Sequence, residues 1–414
     1  MAPTLPLLGL ALLGLAAAQT PGKSPEVHPK VFTYRCTKAG GCLRRTSAVV
    51  LDSGTHWIHQ RDDPSLGCTT ASGALNTTVC PDQATCAKNC IIEGISDYAS
   101  HGVTTSGDSI NLEMLVNGND ESPRIYLLSE TQDRYEMLKL TGNEISYDVD
   151  VSKLPCGMNG ALYLSEMAER GGQGPLNKAG AVYGTGYCDA QCGTETFING
   201  AANLGGYGAC CAEMDIWEAN SAATQLTPHT CNETGLYQCT PDECAFDGVC
   251  DKYGCGMNPY GLGDHEYYGP GLKVDTSRPF TVVTQFPAVK NKLTEIRRLY
   301  VQDGKVIQNA YVNYTGPPDI NYIDQEYCTD TGATRFLTQG GMEGMGEALH
   351  RGMVLIFSIW WDAGGYMTWL DTGSAGPCSV TSGDPTNIVA AQPNPAVTFS
   401  AIKWGEIGST FSGK

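Results

Sequence analysis

The feature that most restricts the fold of this chain is the spacing of its apolar residues. Short apolar runs are separated by Gly, Ser, Thr and Asn, glycine alone supplies 50 of the 414 residues, and long stretches of helical periodicity are nearly absent. Short runs bounded by turn residues are typical of strands, and many of them in one chain favour a β-sandwich. At residues 145–151 apolar and polar residues alternate strictly, as a strand with one buried face requires. The sequence therefore predicts an all-β fold.

The same pattern locates individual elements. Strands are predicted at residues 47–52, 110–116, 124–128, 135–140, 145–151, 161–167, 213–217, 281–286, 295–301, 310–314 and 353–360. Only a few short helices are expected, at residues 82–92 and at residues 342–350, where Gly352 ends the second helix. No linker rich in Pro, Ser or Thr interrupts the chain, so we expect a single domain over residues 19–414.

Several features predict secretion. Residues 1–18 form an uncharged apolar stretch ending in three alanines, which is typical of a signal peptide, with a short membrane anchor as the alternative. All 18 cysteines follow this stretch, and none has the paired spacing of zinc ligands, so disulfides and an extracellular location are expected. Sequons of the form Asn-x-Thr begin at Asn76, Asn232 and Asn313.

The net charge of -18 opposes binding to nucleic acids or anionic membranes, and no partner of either kind is expected. The charge is compatible with a neutral, hydroxyl-rich ligand or simply with solubility. We expect no cofactor and no metal, and a monomer is the default expectation.

Three acidic residues, Glu213, Asp215 and Glu218, lie within the otherwise apolar segment 210–220. Burying them together is costly unless they perform chemistry or bind a metal ion. On a strand Glu213 and Asp215 share a face, whereas Glu218 points away unless a bulge intervenes. With a bulge, the two glutamate carboxyls could lie about 5–5.5 Å apart, as in retaining glycosidases. An inverting enzyme, a calcium site and a solvated edge strand are the alternatives.

Longer motifs make the interpretation more specific. The sequence EMDIWEAN at residues 213–220 resembles the active-site strand of the family-seven glycoside hydrolases, which are fungal cellulases. Further matching stretches are GVTTSG at 102–107, GTGYCDAQC at 184–192, NPYG at 258–261, YGPG at 268–271 and GMVLIFSIW at 352–360. The resemblance extends from about residue 19 to residue 410 and is greatest to the endo-β-1,4-glucanase I type.

This resemblance implies a fold and an activity. The fold would be a concanavalin-like β-jelly roll, a sandwich of two curved antiparallel sheets with a long open substrate cleft and few short helices. The activity would be that of a secreted, retaining endo-β-1,4-glucanase acting on cellulose and related β-glucans. Residues 19–414 would form the single catalytic domain, without a cellulose-binding module.

By the same resemblance, Glu213 is the nucleophile, Glu218 is the acid/base, and Asp215 hydrogen-bonds the nucleophile. His229 corresponds to a histidine on the leaving-group side, although a structural role would explain this residue equally well. Aromatic platforms and polar groups would bind the flat, hydroxyl-rich sugar rings. The implied substrate contacts are Trp360, Trp369, Trp57 as an outer platform, Tyr163, Tyr187, Asp189 and Gln191.

The other tryptophans and the cysteines also receive assignments. Trp217 and Trp404 are expected in the core, and Trp361 either adds a platform or packs. The resemblance pairs the cysteines as Cys36–Cys42, Cys68–Cys90, Cys80–Cys86, Cys156–Cys378, Cys188–Cys211, Cys192–Cys210, Cys231–Cys250, Cys239–Cys244 and Cys255–Cys328.

Loop lengths bear on where the chain would cut its substrate. In the family, cellobiohydrolases roof the cleft with long loops, whereas here only residues 200–209 separate Asn199 from the cysteines before Glu213. Gly261 stands where the exo-acting group has Arg, and residues 374–378 resemble the endoglucanase loop. These features favour endo action. A cellobiohydrolase is the alternative enzyme, and a lectin-like glycan-binding sandwich is the non-enzymatic alternative.

Overall fold

The computed structural model of the chain describes residues 19–311 and 320–413. The predicted signal peptide at 1–18 and the sequon at Asn313 lie outside the described residues. Sixteen strands form one hydrogen-bonded network. They are β1 (Lys30–Thr37), β2 (Gly41–Leu51), β3 (Val103–Ser106), β4 (Ser109–Glu113), β5 (Arg124–Leu128), β6 (Met137–Leu138), β7 (Asn143–Asp150), β8 (Met158–Ser165), β9 (Glu213–Ala219), β10 (Thr224–His229), β11 (Phe280–Gln285), β12 (Ile296–Gln302), β13 (Lys305–Gln308), β14 (Tyr322–Ile323), β15 (Met353–Trp361) and β16 (Ala396–Glu406).

Short helices, turns and strands lie outside this network. The α-helices are α1 (Gln83–Asn89), α2 (Gln325–Asp330), α3 (Thr334–Thr338), α4 (Gly341–Arg351), α5 (Thr368–Asp371) and α6 (Pro385–Ala391), and 3-10 turns cover Ser53–Thr55, Tyr98–His101 and Gly180–Tyr183. Minor strands, outside the main network, cover Thr20–Pro21, Ile58–Gln60, Cys90–Ile92, Leu115–Val116, Asn119–Asp120, Phe197–Ile198, Ala201–Ala202, Gly208–Cys210, Tyr237–Cys239, Tyr268–Gly269, Val274–Asp275, Ala288–Val289 and Lys292–Leu293.

The sheet path runs β10-β9-β8-β15-β5-β2-β1-β16-β7-β11-β12-β13. Each neighbouring pair is antiparallel except β1 with β16, which pair in parallel through Tyr34, Arg35 and Cys36. The two expected sheets are the two halves of this path. The all-β sandwich prediction is thus confirmed, with one difference: β1 joins the halves into a single mixed sheet.

The main core lies between the two halves. Phe357 on β15 contacts Phe399 on β16, with ring centroids 5.4 Å apart. Trp217 on β9 contacts Phe280 on β11 at 5.8 Å. Trp217 and Trp404 are both buried, as predicted. Alternate residues of β2, β5, β8 and β15 point away from this core, and this opposite face of the first half carries the functional site.

Most predicted strands are present, with shifted ends. The prediction at 124–128 matches β5, and the prediction at 47–52 covers only the buried end of β2, because the rest of that strand is exposed. The prediction at 135–140 shrinks to the two residues of β6, and that at 110–116 ends at Glu113 before a separate two-residue strand. Of residues 310–314, the first two are not in a strand and the others lie outside the described residues.

The helix predicted at 342–350 is confirmed by α4, which ends before Gly352. The helix predicted at 82–92 was too long. Asp82 caps α1, but the helix ends at Asn89, because the buried run Cys90–Ile92 pairs as a strand with Ile58–Gln60 and Thr20–Pro21.

Three long strands, β1, β10 and β16, were not predicted from the sequence. The reason is visible for β10 and β16. β10 contains a proline and three polar residues besides His229, so its apolar pattern is weak. In β16 the buried residues shift from Val397 and Phe399 to Ile402 and Trp404, because a bulge near Ala401, with φ of 50°, changes the alternation. A search for strict alternation cannot find such a strand.

All nine predicted disulfides are present, and the described residues contain no free cysteine. Asn232 is exposed and Asn76 is half-buried. Within the described residues, no helix combines the length and the apolar content that crossing a membrane requires.

Candidate active site

A cleft of about 910 Å³ crosses the outer face of the first half of the sheet, from the end of β2 to β10. It contains every predicted site residue except Trp57: Glu213, Asp215, Glu218, His229, Tyr163, Tyr187, Asp189, Gln191, Trp360 and Trp369. Residues that were not predicted complete the lining: Asp52, Gly54, Thr55, Ser122, Arg124, Ala161, Gln225, Lys252, Tyr253 and Ser358.

The acidic residues of β9 face the cleft together because β9 contains a bulge. Asp215 and Glu218 are three residues apart, but their partners on β10, Thr227 and Gln225, are only two apart. The pairing of β9 with β8 shows the same offset. The extra residue reverses the alternation, so that Glu218 returns to the face of Glu213. The predicted bulge is confirmed.

Glu213 is buried, and its Oε2 accepts a hydrogen bond of 3.1 Å from the backbone N–H of Ala190. The loop that carries Ala190 is held to the chain just before β9 by two disulfides. These are Cys188–Cys211 and Cys192–Cys210. The covalent links therefore position the donor that contacts the predicted nucleophile.

Asp215 contacts His229 on the neighbouring strand. Oδ2 of Asp215 lies 3.1 Å from Nε2 of His229, and Nδ1 of His229 lies 3.1 Å from the backbone oxygen of Asp251. A carbonyl oxygen can only accept, so Nδ1 carries a hydrogen and the Nε2 contact shares one proton with the carboxyl. The imidazole is thus oriented through both nitrogens, and it also lines the cleft.

Glu218 has a separate partner. Its Oε1 accepts a hydrogen bond of 3.0 Å from the side-chain amide of Asn159 on β8. The pKa of Glu218 is raised to about 8, first by burial and then by the neighbouring Asp215, whereas His229 and the Asn159 hydrogen bond act in the opposite direction. At neutral pH this carboxyl therefore holds its proton.

The pKa values of Glu213 and Asp215 are raised as well. Burial is the largest cause for both carboxyls, and Asp189 adds to the rise in each. For Glu213, Asp215 also adds to the rise, while His229 and the N–H of Ala190 favour the ionised form. Because neighbouring buried carboxylates repel one another, the group retains protons that isolated carboxyls would lose.

A chain of hydroxyls extends along the cleft beside Glu213. The hydroxyls of Tyr163 and Tyr187 lie 3.1 Å apart, and Tyr187 donates to Oδ2 of Asp189 at 2.9 Å. Oδ1 of Asp189 accepts from the N–H of Cys192 at 2.9 Å. Both oxygens of Asp189 are therefore engaged, which fixes the tyrosine hydroxyls at the centre of the cleft.

An ion pair that the sequence analysis missed lies beside these tyrosine hydroxyls. Nη2 of Arg124 donates to Oδ2 of Asp52 at 3.2 Å, and Tyr126 donates to the same oxygen. The guanidinium of Arg124 lies 3.5 Å from the ring centroid of Tyr187, a cation–π contact. Arg124 thus packs directly against a predicted substrate contact.

The predicted tryptophan platforms have different positions. Trp360 at the end of β15 and Trp369 on α5 line the cleft, with ring centroids 6.4 Å apart and planes 28° apart. Trp57 is exposed but lies outside the lining of the cleft, and its Nε1 donates to the oxygen of Pro64. Trp361 packs against the core, which decides between its two alternatives.

Two loops that line the cleft meet through Gln191 and Lys252. The side-chain amide of Gln191 donates to the backbone oxygen of Lys252 at 2.9 Å, and the ammonium of Lys252 donates to the backbone oxygen of Gln191. This reciprocal contact joins the loop that carries Ala190 to the loop that carries Asp251.

Several of the residues that sequence reasoning missed are single polar residues on or beside strands remote from the acidic segment. Asn159, Arg124 and Asp52 are examples. The one usable signal is that a buried polar side chain within an apolar strand requires a hydrogen-bond partner.

Three groups in the described residues bring potential metal ligands together. They are Cys68 with Cys80 and Cys90, Cys192 with Cys210 and Cys239, and Asp371 with Cys156 and Cys378. Every cysteine in these groups is disulfide-bonded, so none offers a thiolate to a metal ion.

Comparison with known proteins extends these observations. The profile of a family described as "Glycosyl hydrolase family 7" matches residues 21–411. The chain is 55% identical to a probable endo-beta-1,4-glucanase celB of Aspergillus clavatus, over 100% of this chain and 99% of the relative. A solved structure of an endoglucanase I complexed with cellobiose has a TM-score of 0.92 and 54% identity, over 95% of this chain and 100% of that chain. A family-seven cellobiohydrolase from Daphnia pulex has a TM-score of 0.90 and 38% identity, over the same shares.

Proposed function

Since the chain belongs to glycosyl hydrolase family 7, we propose that it is an endo-β-1,4-glucanase that hydrolyses internal bonds of cellulose-type β-glucans with retention of configuration. The observation that carries the mechanism is the bulge in β9, which brings Glu213 and Glu218 to one face with different partners. Burial raises the pKa of both carboxyls, but the N–H of Ala190 and His229 favour the ionised form of Glu213, whereas Glu218 has a pKa of about 8 and keeps its proton at neutral pH. Two carboxyls with different partners serve as nucleophile and acid.

In the first step, the ionised Glu213 attacks the anomeric carbon while Glu218 gives its proton to the glycosidic oxygen. The bond to the leaving group breaks, and a glycosyl ester forms on Glu213. Protonation of Asp215 supports this step, since a neutral Asp215 no longer repels charge on its neighbour. The His229 contact keeps that proton beside the site.

In the second step, Glu218 acts as a base. The ester has removed the negative charge of Glu213, so the proton affinity of Glu218 falls and its carboxylate is stable beside the intermediate. Glu218 takes a proton from water, the oxygen attacks the anomeric carbon, and Glu213 leaves as a carboxylate. Two inversions at one carbon give net retention, and no metal or cofactor is needed.

Endo action is supported by two observations. The relative named as an endo-beta-1,4-glucanase shares 55% of its residues with this chain, and the cellobiohydrolase shares 38%. Only residues 200–209 separate Asn199 from the cysteines before β9. By the name of the solved relative, cellobiose is a fitting ligand for such a cleft.

The remaining expectations form part of the proposal. Residues 19–414 are a single catalytic domain, released by removal of residues 1–18, and the protein acts as an extracellular monomer on polysaccharide rather than on nucleic acid or membranes. Nine disulfides support export to an oxidising compartment. Trp57 serves as an outer platform that only long chains reach.

The test compares the parent protein with Glu213→Gln on carboxymethyl cellulose, following viscosity and reducing ends. Endo action predicts a rapid fall in viscosity with few reducing ends, lost in the variant. Glu113→Gln, which changes an exposed carboxyl outside the cleft, is the matched control and should behave as the parent does. Slow thinning with release of cellobiose would identify a cellobiohydrolase. Proton NMR of the first product should show the β anomer, and an α anomer would refute retention.

A further inference from the structure

Two exposed aromatic side chains form a pair at one end of the cleft. The ring centroids of Phe246 and Tyr253 are 4.8 Å apart, with an angle of 64° between the planes. Tyr253 lines the cleft and is 75% exposed, and Phe246 is 44% exposed. The steps proposed above use neither residue. Aromatic surface left in contact with water at the edge of a cleft is typical of a ligand contact.

Disulfides hold both residues in place. Tyr253 lies between Cys250 and Cys255, and its N–H donates to Oδ1 of Asp251 at 3.2 Å. Phe246 follows Cys244 by two residues. The bridges are Cys231–Cys250, Cys255–Cys328 and Cys239–Cys244. A ring on such a loop is already ordered before a ligand arrives, so binding loses little conformational entropy.

The strand order shows where this pair lies relative to the acidic residues. β9 has four cleft strands on one side, β8, β15, β5 and β2, but only β10 on the other. At about 4.8 Å between strands, the long arm of the cleft spans about 19 Å and the short arm about 5 Å. The loop with Tyr253 lies just beyond β10, since Asp251 accepts from His229 and Cys255 donates to Pro228.

We propose that Tyr253, braced by Phe246, is a platform on which a glucosyl unit of the short arm stacks, beyond His229. The inference rests on the proposed function, because the short arm is the side that receives the leaving group. The platform extends the short arm beyond the sheet edge at β10. The protein therefore binds longer leaving groups than β10 alone could hold, and longer acceptor glucans when the sugar is transferred to another glucan. Its ligand class is a β-linked glucan segment that presents a flat ring face.

The test uses Tyr253→Ala, Tyr253→Phe and the parent protein. The measured quantity is kcat/KM for cellohexaose divided by kcat/KM for an aryl β-cellobioside, whose small leaving group does not extend past His229. We expect this ratio to fall about 3- to 10-fold in Tyr253→Ala, the range of an aromatic contact. The cleavage position should shift so that fewer glucosyl units occupy the short arm. Tyr253→Phe keeps the ring and should restore both readouts.

Tyr311→Ala is the matched control, since Tyr311 is 52% exposed but does not line the cleft. An unchanged ratio and cleavage pattern in Tyr253→Ala would overturn the platform. An equal loss on both substrates would overturn it too, because it would indicate a general defect. Calorimetry of cellohexaose binding in the Glu213→Gln background separates the two proposals. If the parent protein hydrolysed no β-glucan but Tyr253→Ala still weakened the binding of cellohexaose, the platform would be supported and the proposed catalysis would be refuted.

Discussion

The side-chain amide of Asn159 donates a hydrogen bond of 3.0 Å to Oε1 of Glu218. The orientation of this amide is set by its other end, because Oδ1 of Asn159 accepts from the N–H of Ala219 at 3.1 Å. A donor favours the ionised carboxylate, so Asn159 counteracts the burial that raises the pKa of Glu218. One buried amide therefore helps to set the proton affinity of the proposed acid.

Asn159→Ala should move the alkaline limb of the pH–rate profile upward. In the parent, activity should decline as pH rises through about 8, where Glu218 loses its proton. Loss of a hydrogen bond to a charged group raises that pKa, and we expect a displacement of about one pH unit in kcat/KM. Asn111→Ala, which removes an amide contact to Glu113 outside the cleft, should leave the limb in place. If the alkaline limb of Asn159→Ala lay at the same pH as that of the parent, this role of Asn159 would be contradicted.

Glu218→Gln should stabilise the fold at alkaline pH while abolishing activity. The pKa of Glu218 is about 8 in the folded chain against an ordinary 4.5. Between these values the folded chain holds a proton that the unfolded chain has released, so the free energy of unfolding falls as pH rises. Glutamine removes this dependence. Calorimetry should show a Tm above that of the parent by about 2–4 °C or more at pH 8, and no difference at pH 4.

Glu113→Gln is the control for that comparison, because the exposed carboxyl of Glu113 should give no pH-dependent difference in Tm. The same increase in Tm for Glu218→Gln at pH 4 and pH 8 would mean that side-chain packing, not ionisation, causes the stabilisation.

Removing the disulfide Cys188–Cys211 should impair catalysis beyond its effect on stability. Its sequence separation is 23, and that of Cys68–Cys90 is 22, so loss of either should lower the free energy of unfolding by about 3 kcal/mol. Of these two bridges, only the first holds the loop whose Ala190 N–H contacts Glu213, the proposed nucleophile. We expect kcat on an aryl β-cellobioside to fall about tenfold in the first double-alanine variant, and to change little in the second. Equal losses of kcat would exclude this positioning effect.

A buried carboxyl far from the chemistry anchors the N-terminal segment. Glu26 accepts hydrogen bonds from the N–H of Ile95 at 2.7 Å and from the hydroxyl of Tyr98, and its Oε2 lies 3.0 Å from Nε2 of His56. In Glu26→Gln the amide NH₂ would meet donors, and a buried unsatisfied group costs about 1–3 kcal/mol. Urea unfolding should show a loss of this size.

Glu121→Gln offers the comparison for Glu26, since Glu121 contacts His101 at 3.2 Å but is partly exposed. We expect a change below about 1 kcal/mol there, because water screens the pair. Similar losses of unfolding free energy in both variants would show that the buried donors around Glu26 stabilise the fold no more than the partly exposed pair does.

The local sequence predicted most of the long strands and half of the residues that line the cleft. The period of two at residues 145–151 predicted β7, and three acids in the apolar segment 210–220 required a bulge that β9 contains. The resemblance carried by EMDIWEAN supplied the cysteine pairing, and the structure confirms it. These features lie within one segment or one motif, where spacing alone decides the face on which a side chain lies.

The tertiary structure decided what no local pattern contains. Asn159 meets Glu218 across 59 positions of sequence, and Arg124 meets Asp52 across 72. The parallel pairing of β1 with β16 and the shift in alternation near Ala401 also depend on distant partners. The pKa of Glu218 has the same origin, since burial and the charges of neighbouring strands set it. Desolvation and electrostatic coupling act through space, so they arise only once the strands have paired.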